Sequence, residues 1–319
     1  MDSPIQTNSK AANRPVTAAA AAVAGRKDIT ILITDSGLGG LSICADIAAR
    51  LKRDPIFPRV SLIYYNAWPE QSRGYHRLAD DAQRIRVFDR ALAGMMHFQP
   101  DIILIACNTL SILYSRTAFS RASPVPVVDI VGFGVDMVND RLGKETTAMA
   151  VLLGTVITIT ADIHRSRLIA RGIAPERLVS QACDQLATEI EREPAGKTVE
   201  RLVNQFADAA VSRIAGAPSR IFVAFLCTHF GYSRDLIQAA FAARCRQPVT
   251  LLNPNTAMAD WIFDLPETRC YDRTAVAIRI VSRIQWGRRK VDALAGIMAT
   301  RSAETADALR RYEYRPDLF

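Results

Sequence analysis

Two cysteines in this 319-residue chain have the side-chain type and the spacing expected of paired acid–base groups. Each lies in an apolar, β-prone run, DIILIACNT (101–109) for Cys107 and RIFVAFLCTHF (220–230) for Cys227, and they are 120 residues apart. The repeated design predicts a thiol at the carboxyl end of each of two buried strands, where ligands bind in open α/β sheets. Two thiols that face one ligand could exchange protons with it from two sides.

Polar neighbours support a chemical role for both cysteines. Each is followed by polar side chains, which are Asn108 and Thr109 in one case and Thr228 and His229 in the other. Hydroxyl and amide donors can hold a carboxylate, and the N–H groups at a helix start favour a thiolate. Asp35 ends the first apolar run in the same manner. An Asp beside one thiol and a His beside the other could therefore tune each for proton transfer.

The alternative for any cysteine is a packing role, because free cysteine commonly behaves as a small hydrophobe. We assign packing roles to the cysteines without such a repeated polar context, which are Cys44, Cys183, Cys245 and Cys270. For Cys107 and Cys227 the repeated context favours chemistry. A zinc site is disfavoured because these two residues and His229 lack the local ligand-pair spacing of structural zinc sites, and no metal is expected.

Composition limits the class of protein. A hydrophobic fraction of 49% and a charged fraction of 23% are typical of a globular protein, and the net charge of +8 favours anionic ligands. The sequence lacks an apolar run of the roughly 20 residues that a membrane span requires. It also lacks the dense basic segments of nucleic-acid-binding proteins. Scattered cysteines predict a reduced, cytoplasmic protein, and residues 1–27 predict a disordered tail rather than a secretory signal.

Alternating strands and helices predict an α/β protein with parallel sheets and right-handed crossovers. Segment 28–51 contains a strand, a glycine-rich turn and a helix, and the turn allows close backbone approach to a ligand. The patterns predict further strands at 60–68, 101–106, 146–155, 220–226 and 247–254, and helices at 76–98, 157–172, 198–215, 233–244, about 255–264 and 272–286. The predicted organisation is a tail (1–27), a first domain (28–127 plus 237–287), a second domain (128–236) and a C-terminal extension (288–319).

Three segments resemble the signature segments of glutamate racemases, within the aspartate/glutamate racemase superfamily. They are TDSGLGGLS (34–42), ACNTLS (106–111) and LCTHFGY (226–232). Three more segments resemble that family in the same order, LLGTVITI (152–159), QACDQLATEIE (181–191) and LNPNTAMA (252–259). The resemblance covers about residues 28–285, and it implies two pseudo-symmetric domains, each with a mainly parallel sheet flanked by helices and with the active site in the cleft between them.

The resemblance also implies a racemase that needs no cofactor and acts on an acidic amino acid, most directly glutamate. Cys107 would take the α-proton from the D-enantiomer with help from Asp35, and Cys227 would take it from the L-enantiomer with help from His229. The substrate would be held by Ser36, Asn108, Thr109, Thr155, Thr158, Thr228 and Glu191, with Gly74 aligned to a family glycine. In that family the role is to supply D-glutamate for bacterial peptidoglycan, and a homodimer is compatible with the resemblance.

One segment departs from the family pattern. NAWPEQSRGYH (66–76) places Ser72 and Arg73 where the family has Pro-Tyr, and this change bears on the substrate more than on the chemistry. Arg73 could pair with a carboxylate of the substrate, but solvent exposure is favoured because arginine is mostly exposed. The alternatives are therefore an aspartate racemase, another isomerase or decarboxylase of the superfamily, or a non-catalytic binding homologue.

Overall fold

The computed structural model describes residues 14–264 and 271–319, which form two parallel sheets flanked by helices. The strands are β1 (Asp28–Asp35), β2 (Arg59–Asn66), β3 (Ile102–Ile105), β4 (Val127–Asp129), β5 (Met149–Gly154), β6 (Leu178–Ala182), β7 (Ile221–Leu226), β8 (Val249–Leu252), β9 (Ala275–Ser282) and β10 (Glu313–Tyr314). The α-helices are α1 (Arg14–Val23), α2 (Leu41–Arg53), α3 (Asp81–Met95), α4 (Asn108–Tyr114), α5 (Ile130–Lys144), α6 (Val156–Thr160), α7 (Ile163–Ala170), α8 (Leu186–Arg192), α9 (Lys197–Val211), α10 (Arg234–Ala242), α11 (Pro254–Trp261), α12 (Arg288–Ala299) and α13 (Ala303–Arg310). This architecture confirms the predicted fold class.

The four strands of the second sheet repeat the order of four strands in the six-stranded first sheet. The first sheet runs β10-β9-β2-β1-β3-β4 and the second runs β6-β5-β7-β8, with every neighbouring pair parallel. In each sheet the order reverses beside the first strand of the repeat, β1 or β5. Such a switch point leaves a crevice at the carboxyl edge, where ligands bind. The two strands that precede the cysteines, β3 and β7, occupy equivalent positions in the two sheets.

Burial of both sheet faces explains the continuous apolar runs in the sequence. Every residue of β3, β5 and β7 is buried, as expected when helices cover a parallel sheet on both sides. Two apolar clusters pack on the faces of the first sheet and two on those of the second. The polar side chains that follow these strands therefore lie at the carboxyl edges.

The helix predicted over 272–286 is wrong, because β9 covers Ala275–Ser282. Alanine and arginine in this segment are good helix formers, but Val276, Ile278 and Ile280 are more buried than the residues between them. That period of two fits a strand. Pairing with β2 along the full length of β9 determines the conformation.

After residue 237 the chain first completes the second sheet. Strand β8 pairs with β7 and so completes the second sheet, and the chain rejoins the first sheet through α11, which packs on α2. The C-terminal extension packs against the first sheet, because α13 contacts α2 and β10 pairs with β9. The division of the chain into two domains stays a prediction.

Part of the predicted tail is helical. Helix α1 lies within 1–27, and its Ala19, Ala20 and Val23 are buried in the core of the first sheet. Residues 1–13 lie outside the described residues. The predicted helix at 157–172 is two helices, α6 and α7, separated at Asp162, whose φ of 55° is left-handed. Gly172, with φ of 92°, follows the end of α7, where glycine readily adopts this left-handed conformation.

The last residues of the chain stabilise the first sheet. Leu318 is buried in the cluster on one face of that sheet, and its carbonyl oxygen accepts a hydrogen bond from the Tyr65 hydroxyl at 3.1 Å. Leu318→Ala should lower the free energy of unfolding by about 2 kcal/mol, because it removes a buried side chain and leaves a cavity. Asp317→Ala is the matched control, because Asp317 is exposed. Urea denaturation followed by circular dichroism measures both, and equal effects of the two substitutions would contradict this account.

Candidate active site

One cavity, with a volume of about 490 Å³, lies where the carboxyl edges of the two sheets face each other. Cys107, after β3, and Cys227, after β7, both line it, and both are buried. Because β3 and β7 occupy equivalent positions in the two sheets, both strands end at this cavity. Thiols that are 120 residues apart in the sequence are thereby delivered to one cavity.

Cys107 lies at the start of α4 and beside a hydroxyl group. The Ser36 Oγ is 3.3 Å from the Cys107 Sγ. Burial, and after it the charge of Asp35, raise the pKa of the Cys107 thiol above its usual value, and these effects outweigh the opposing hydrogen bond from Ser36. The neutral thiol is therefore the favoured form near pH 7, and a positive charge brought close to it would favour the thiolate.

Asp35 is fully buried at the end of β1, where its carboxylate accepts several hydrogen bonds. The donors are the backbone N–H groups of Gly37 (3.2 Å) and Gly40 (2.7 Å) and the hydroxyls of Ser36 (3.5 Å) and Thr228 (2.7 Å). Ser36 therefore lies between Asp35 and Cys107. Any help that Asp35 gives to the thiol passes through this hydroxyl or acts through space.

Cys227 has a different set of neighbours. Its Sγ lies 3.6 Å from the Nδ1 of His229, and the Nε2 of His229 lies 2.7 Å from the Oε1 of Glu191. The same Glu191 oxygen accepts a hydrogen bond from the backbone N–H of Leu38 at 2.6 Å. The other oxygen, Oε2, pairs with the ammonium group of Lys290. Cys227 thus ends a chain of contacts that runs from sulfur through imidazole and carboxylate to ammonium.

Charges along this chain shift the pKa values of its members. Burial alone would raise the pKa of Glu191, but Lys290 and then His229 outweigh it and hold that pKa well below its usual range. Burial alone would lower the pKa of His229, but its contacts with Cys227 and Glu191 raise that pKa well above its usual value. The pair is therefore an ionised carboxylate that stabilises a protonated imidazole beside the Cys227 sulfur.

Three threonine hydroxyls form a cluster that joins the two sheets. The Oγ1 of Thr109, in α4, lies 3.1 Å from that of Thr155 and 3.3 Å from that of Thr158, and the latter two are 3.0 Å apart. Thr155 also caps α6 by accepting from the backbone N–H of Thr158. Thr109 and Thr155 line the cavity, whereas Thr158 is not among its lining residues. Thr158 thus supports the other two.

A buried histidine fixes the orientation of Asn108. The Nε2 of His164 lies 3.0 Å from the Oδ1 of Asn108. Burial, with a smaller effect of Arg167, lowers the pKa of His164 to about 3, so the ring is neutral and donates to that oxygen. Among the described residues, the Nδ2 of Asn108 has no hydrogen-bond partner, and Asn108 lines the cavity. Its amide N–H₂ is a donor available to an anionic ligand.

Segment 66–76, which departs from the family pattern, contributes side chains such as Trp68 and Tyr75 to the cavity wall. Gly74 does not line the cavity, and a Cβ built there would lie 2.5 Å from the Trp68 ring, so glycine lets the indole pack against the backbone. Arg73 pairs with Glu70 at 2.7 Å, the two side chains are 42% and 52% exposed, and Arg73 is not among the residues that line the cavity. The preference for an Arg73 that faces solvent agrees with this placement.

The sequence reasoning missed several lining residues. Trp286, Gly287 and Lys290 come from the end of the chain, beyond the segments that carry the family resemblance. Their only sequence signal is a glycine before a helix, followed by three basic residues. Cys183 was assigned to packing, and it is indeed in the core of the second sheet, but it also lines the cavity. Of the other cysteines so assigned, Cys44 is buried and Cys245 partly buried, whereas Cys270 lies outside the described residues.

The family model for Asp/Glu/Hydantoin racemases matches residues 31–260. The chain belongs to this family. The match includes both strand-end cysteines, Asp35, Glu191 and His229, and it confirms the family resemblance predicted from the sequence. The contacts described above connect Glu191 and His229 in one buried chain that leads to Cys227.

Relatives and solved structures agree with this assignment. A glutamate racemase of Syntrophus aciditrophicus is 27% identical over 231 residues, which are 72% of this chain and 76% of the relative. The crystal structure of a glutamate racemase from Bacillus anthracis is similar in fold, with a TM-score of 0.66, 18% identity and coverage of 87% of this chain and 96% of that one. The structure of the Francisella tularensis glutamate racemase in complex with D-glutamate gives a TM-score of 0.65 at 17% identity, covering 91% and 96%.

Two other properties bear on the function classes considered. In the part of the chain that the structure describes, helices are too short or too polar to cross a membrane. Within residues 14–264 and 271–319, His, Cys, Asp and Glu side chains do not form a group of three or more that could hold a metal ion.

The neutral state of His164 gives a pH-dependent prediction for stability. Its pKa is about 3 in the fold and about 6.5 in the unfolded chain, so unfolding takes up a proton between these values. Because of this proton uptake, the free energy of unfolding should fall by about 1.4 kcal/mol for each pH unit below about 6.5. In His164→Gln, which keeps a donor for Asn108 but does not titrate, this loss should be absent.

Chemical denaturation at pH 7 and at pH 5 measures the difference. His164→Leu serves as the comparison, because it removes the donor and leaves the Asn108 oxygen without its partner. It should be less stable than the glutamine variant at pH 7 by about 1 to 3 kcal/mol. If the wild type and His164→Gln lose the same stability between the two pH values, His164 is not the neutral buried group described here.

Proposed function

We propose that this protein interconverts L- and D-glutamate by proton transfer between the substrate α-carbon and two cysteine thiols. The observation that carries the proposal is the placement of Cys107 and Cys227 at equivalent strand ends, from which both line one cavity. Removal of an α-proton and its return to the opposite face require a base and an acid on opposite sides of the carbon. A pair of thiols on two facing sheets meets that requirement.

The proton balance follows from the two thiols. With D-glutamate, the Cys107 thiolate takes the α-proton, so the carbon–hydrogen bond breaks, a sulfur–hydrogen bond forms and the electron pair remains on the substrate. The Cys227 thiol then gives its proton to the opposite face and becomes the thiolate. L-Glutamate takes the reverse path. The enzyme ends each turnover with the proton on the other cysteine, and no redox or cofactor step is needed.

The surroundings of the thiols support this chemistry. Burial raises the pKa of the Cys107 thiol, and the ammonium group of a bound amino acid would offset that effect by favouring the thiolate. The Asn108 amide and the hydroxyls of Thr109 and Thr155 are donors for the substrate carboxylate, whose negative charge grows as the α-proton leaves. Fixed donors in a site that excludes water stabilise such charge more strongly than solvent does.

The choice of glutamate rests on the relatives, which are named glutamate racemases, and on the Francisella structure, which holds D-glutamate. Among the described residues that line this cavity, the cations are already paired with carboxylates, Lys290 and the protonated His229 with Glu191 and Arg192 with Glu189. A side-chain carboxylate would therefore be held by neutral donors. The proposed physiological role is supply of D-glutamate for peptidoglycan in the cytoplasm, and a homodimer stays a prediction.

Single substitutions of the two cysteines test the proposal. Cys107→Ala and Cys227→Ala should each reduce racemisation of L- and of D-glutamate by about 10³-fold or more, because each removes one proton carrier. Circular dichroism of the substrate measures the rates without added pyridoxal phosphate or metal. Cys245→Ala is the control, since Cys245 is outside the cavity lining, and it should keep wild-type rates.

A substrate panel accompanies these variants. Wild-type protein should racemise glutamate faster than aspartate. Faster turnover of aspartate would overturn the choice of substrate while retaining the mechanism. Full activity in either cavity-cysteine variant would overturn the mechanism, and no turnover of any acidic amino acid would overturn the proposed function.

A further inference from the structure

Lys290 joins the candidate active site from a part of the chain that lies 99 residues beyond Glu191. It belongs to the first turn of α12, in the C-terminal extension, and it lines the cavity. Its ammonium group pairs with the Oε2 of Glu191, whereas the Oε1 of Glu191 receives His229 and Leu38. Each carboxylate oxygen therefore has its own partners, which fixes the carboxylate in the plane and direction that His229 needs.

The exposure of neighbouring side chains distinguishes Lys290 from ordinary surface bases. The consecutive residues Arg288, Arg289 and Lys290 are all basic, and the side chains of the first two are 95% and 87% exposed. The side chain of Lys290 is only 27% exposed, and that of Glu191 is 10% exposed. One basic residue of the three is thus turned inward against a buried carboxylate, where an ion pair is screened much less than on the surface.

Local contacts hold Lys290 in this position. The backbone N–H of Trp286 donates to the Tyr312 hydroxyl at 2.9 Å, and the two rings pack with centroids 4.3 Å apart. The side chain of Gln71 makes two hydrogen bonds of 2.8 Å with the backbone of Gln285. The Nε2 of Gln71 donates to the Gln285 carbonyl oxygen, and the Oε1 of Gln71 accepts from the Gln285 N–H. The segment 284–287 that leads into α12 is therefore fixed both to the C-terminal extension and to the segment 66–76.

We propose that Lys290 is a positioning residue for the Cys227 half of the reaction. By pairing with Oε2 it keeps Glu191 ionised and fixed, so that Oε1 holds the imidazole of His229 directed at the Cys227 sulfur. Lys290 itself transfers no proton and does not contact the reacting carbon. This inference rests on the proposed function, and it gives the C-terminal extension a part in the active site.

Substitutions that separate charge from size test the inference. In Lys290→Met and Lys290→Gln the positive charge is lost, so Glu191 should become protonated at a higher pH. The acidic limb of the kcat/KM profile for glutamate should then move to higher pH by about one unit or more, and kcat/KM at pH 7 should fall about tenfold or more. Lys290→Arg, which keeps the charge, should retain the wild-type limb.

The control is Arg289→Met, which removes a neighbouring exposed charge and should leave rate and profile unchanged. Because the two enantiomers have equal free energies, kcat/KM must fall by the same factor in both directions, and unequal factors would reveal an assay fault. If the wild type is active and the acidic limb does not shift in either neutral variant, the inference about Lys290 is overturned, whereas the proposed function is not. An inactive wild type would instead count against the proposed function.

A second measurement needs no turnover. Carbon-13 NMR of the Glu191 side-chain carboxyl, assigned by comparison with Glu191→Gln, reports its ionisation in each protein. Glu191 should remain ionised at pH 5 in the wild type and in Lys290→Arg, and it should titrate at higher pH in Lys290→Gln. Identical titration of Glu191 in the wild type and Lys290→Gln, in variants with unchanged circular dichroism spectra, would overturn the inference whatever the activities.

Discussion

The hydrogen bond from Thr228 to Asp35 is the constraint on which the rest of the site depends. It is 2.7 Å long, both residues are buried, and it joins the end of β1 in the first sheet to the end of β7 in the second. A buried carboxylate must be fully hydrogen-bonded to be tolerated, so the two sheets are held at one separation. The glycine turn between them fits only without side chains, because a Cβ on Gly37 would lie 2.4 Å from Glu191 and one on Gly39 would lie 2.3 Å from Thr228.

Within that frame, similar sheets carry dissimilar chemical groups. Cys107 has a neutral hydroxyl neighbour, Ser36, whereas Cys227 lies at the end of a charged chain through His229 and Glu191 to Lys290. Symmetry of the backbone therefore does not impose symmetry of electrostatics. A racemase does not need electrostatic symmetry between the two halves of its site. The equal free energies of the enantiomers fix only the ratio of the overall rate constants in the two directions. Each thiol can be tuned by separate means.

The sequence allowed prediction of what is encoded locally. Cys107 and Cys227 were found because an apolar run, a cysteine and polar residues are adjacent in the chain. The helix predicted at 272–286 was wrong because pairing with β2, more than 200 residues away, decides its conformation. Lys290 was missed for the same reason, since only the fold brings it to Glu191 and local sequence makes it one of three similar bases. The contact of Asp35 with Thr228 likewise depends on how the sheets face each other.

The most direct test of the central claim is the pattern of isotope labelling during early turnover in deuterium oxide. Starting from L-glutamate, the account predicts that product D-glutamate carries one α-deuterium, while the remaining L-glutamate stays unlabelled. The reason is that Cys227 removes the proton and Cys107, already equilibrated with solvent, delivers a deuteron to the other face. Deuterium that enters the remaining L-glutamate as fast as it enters the product would contradict the account, because one group would then serve both faces.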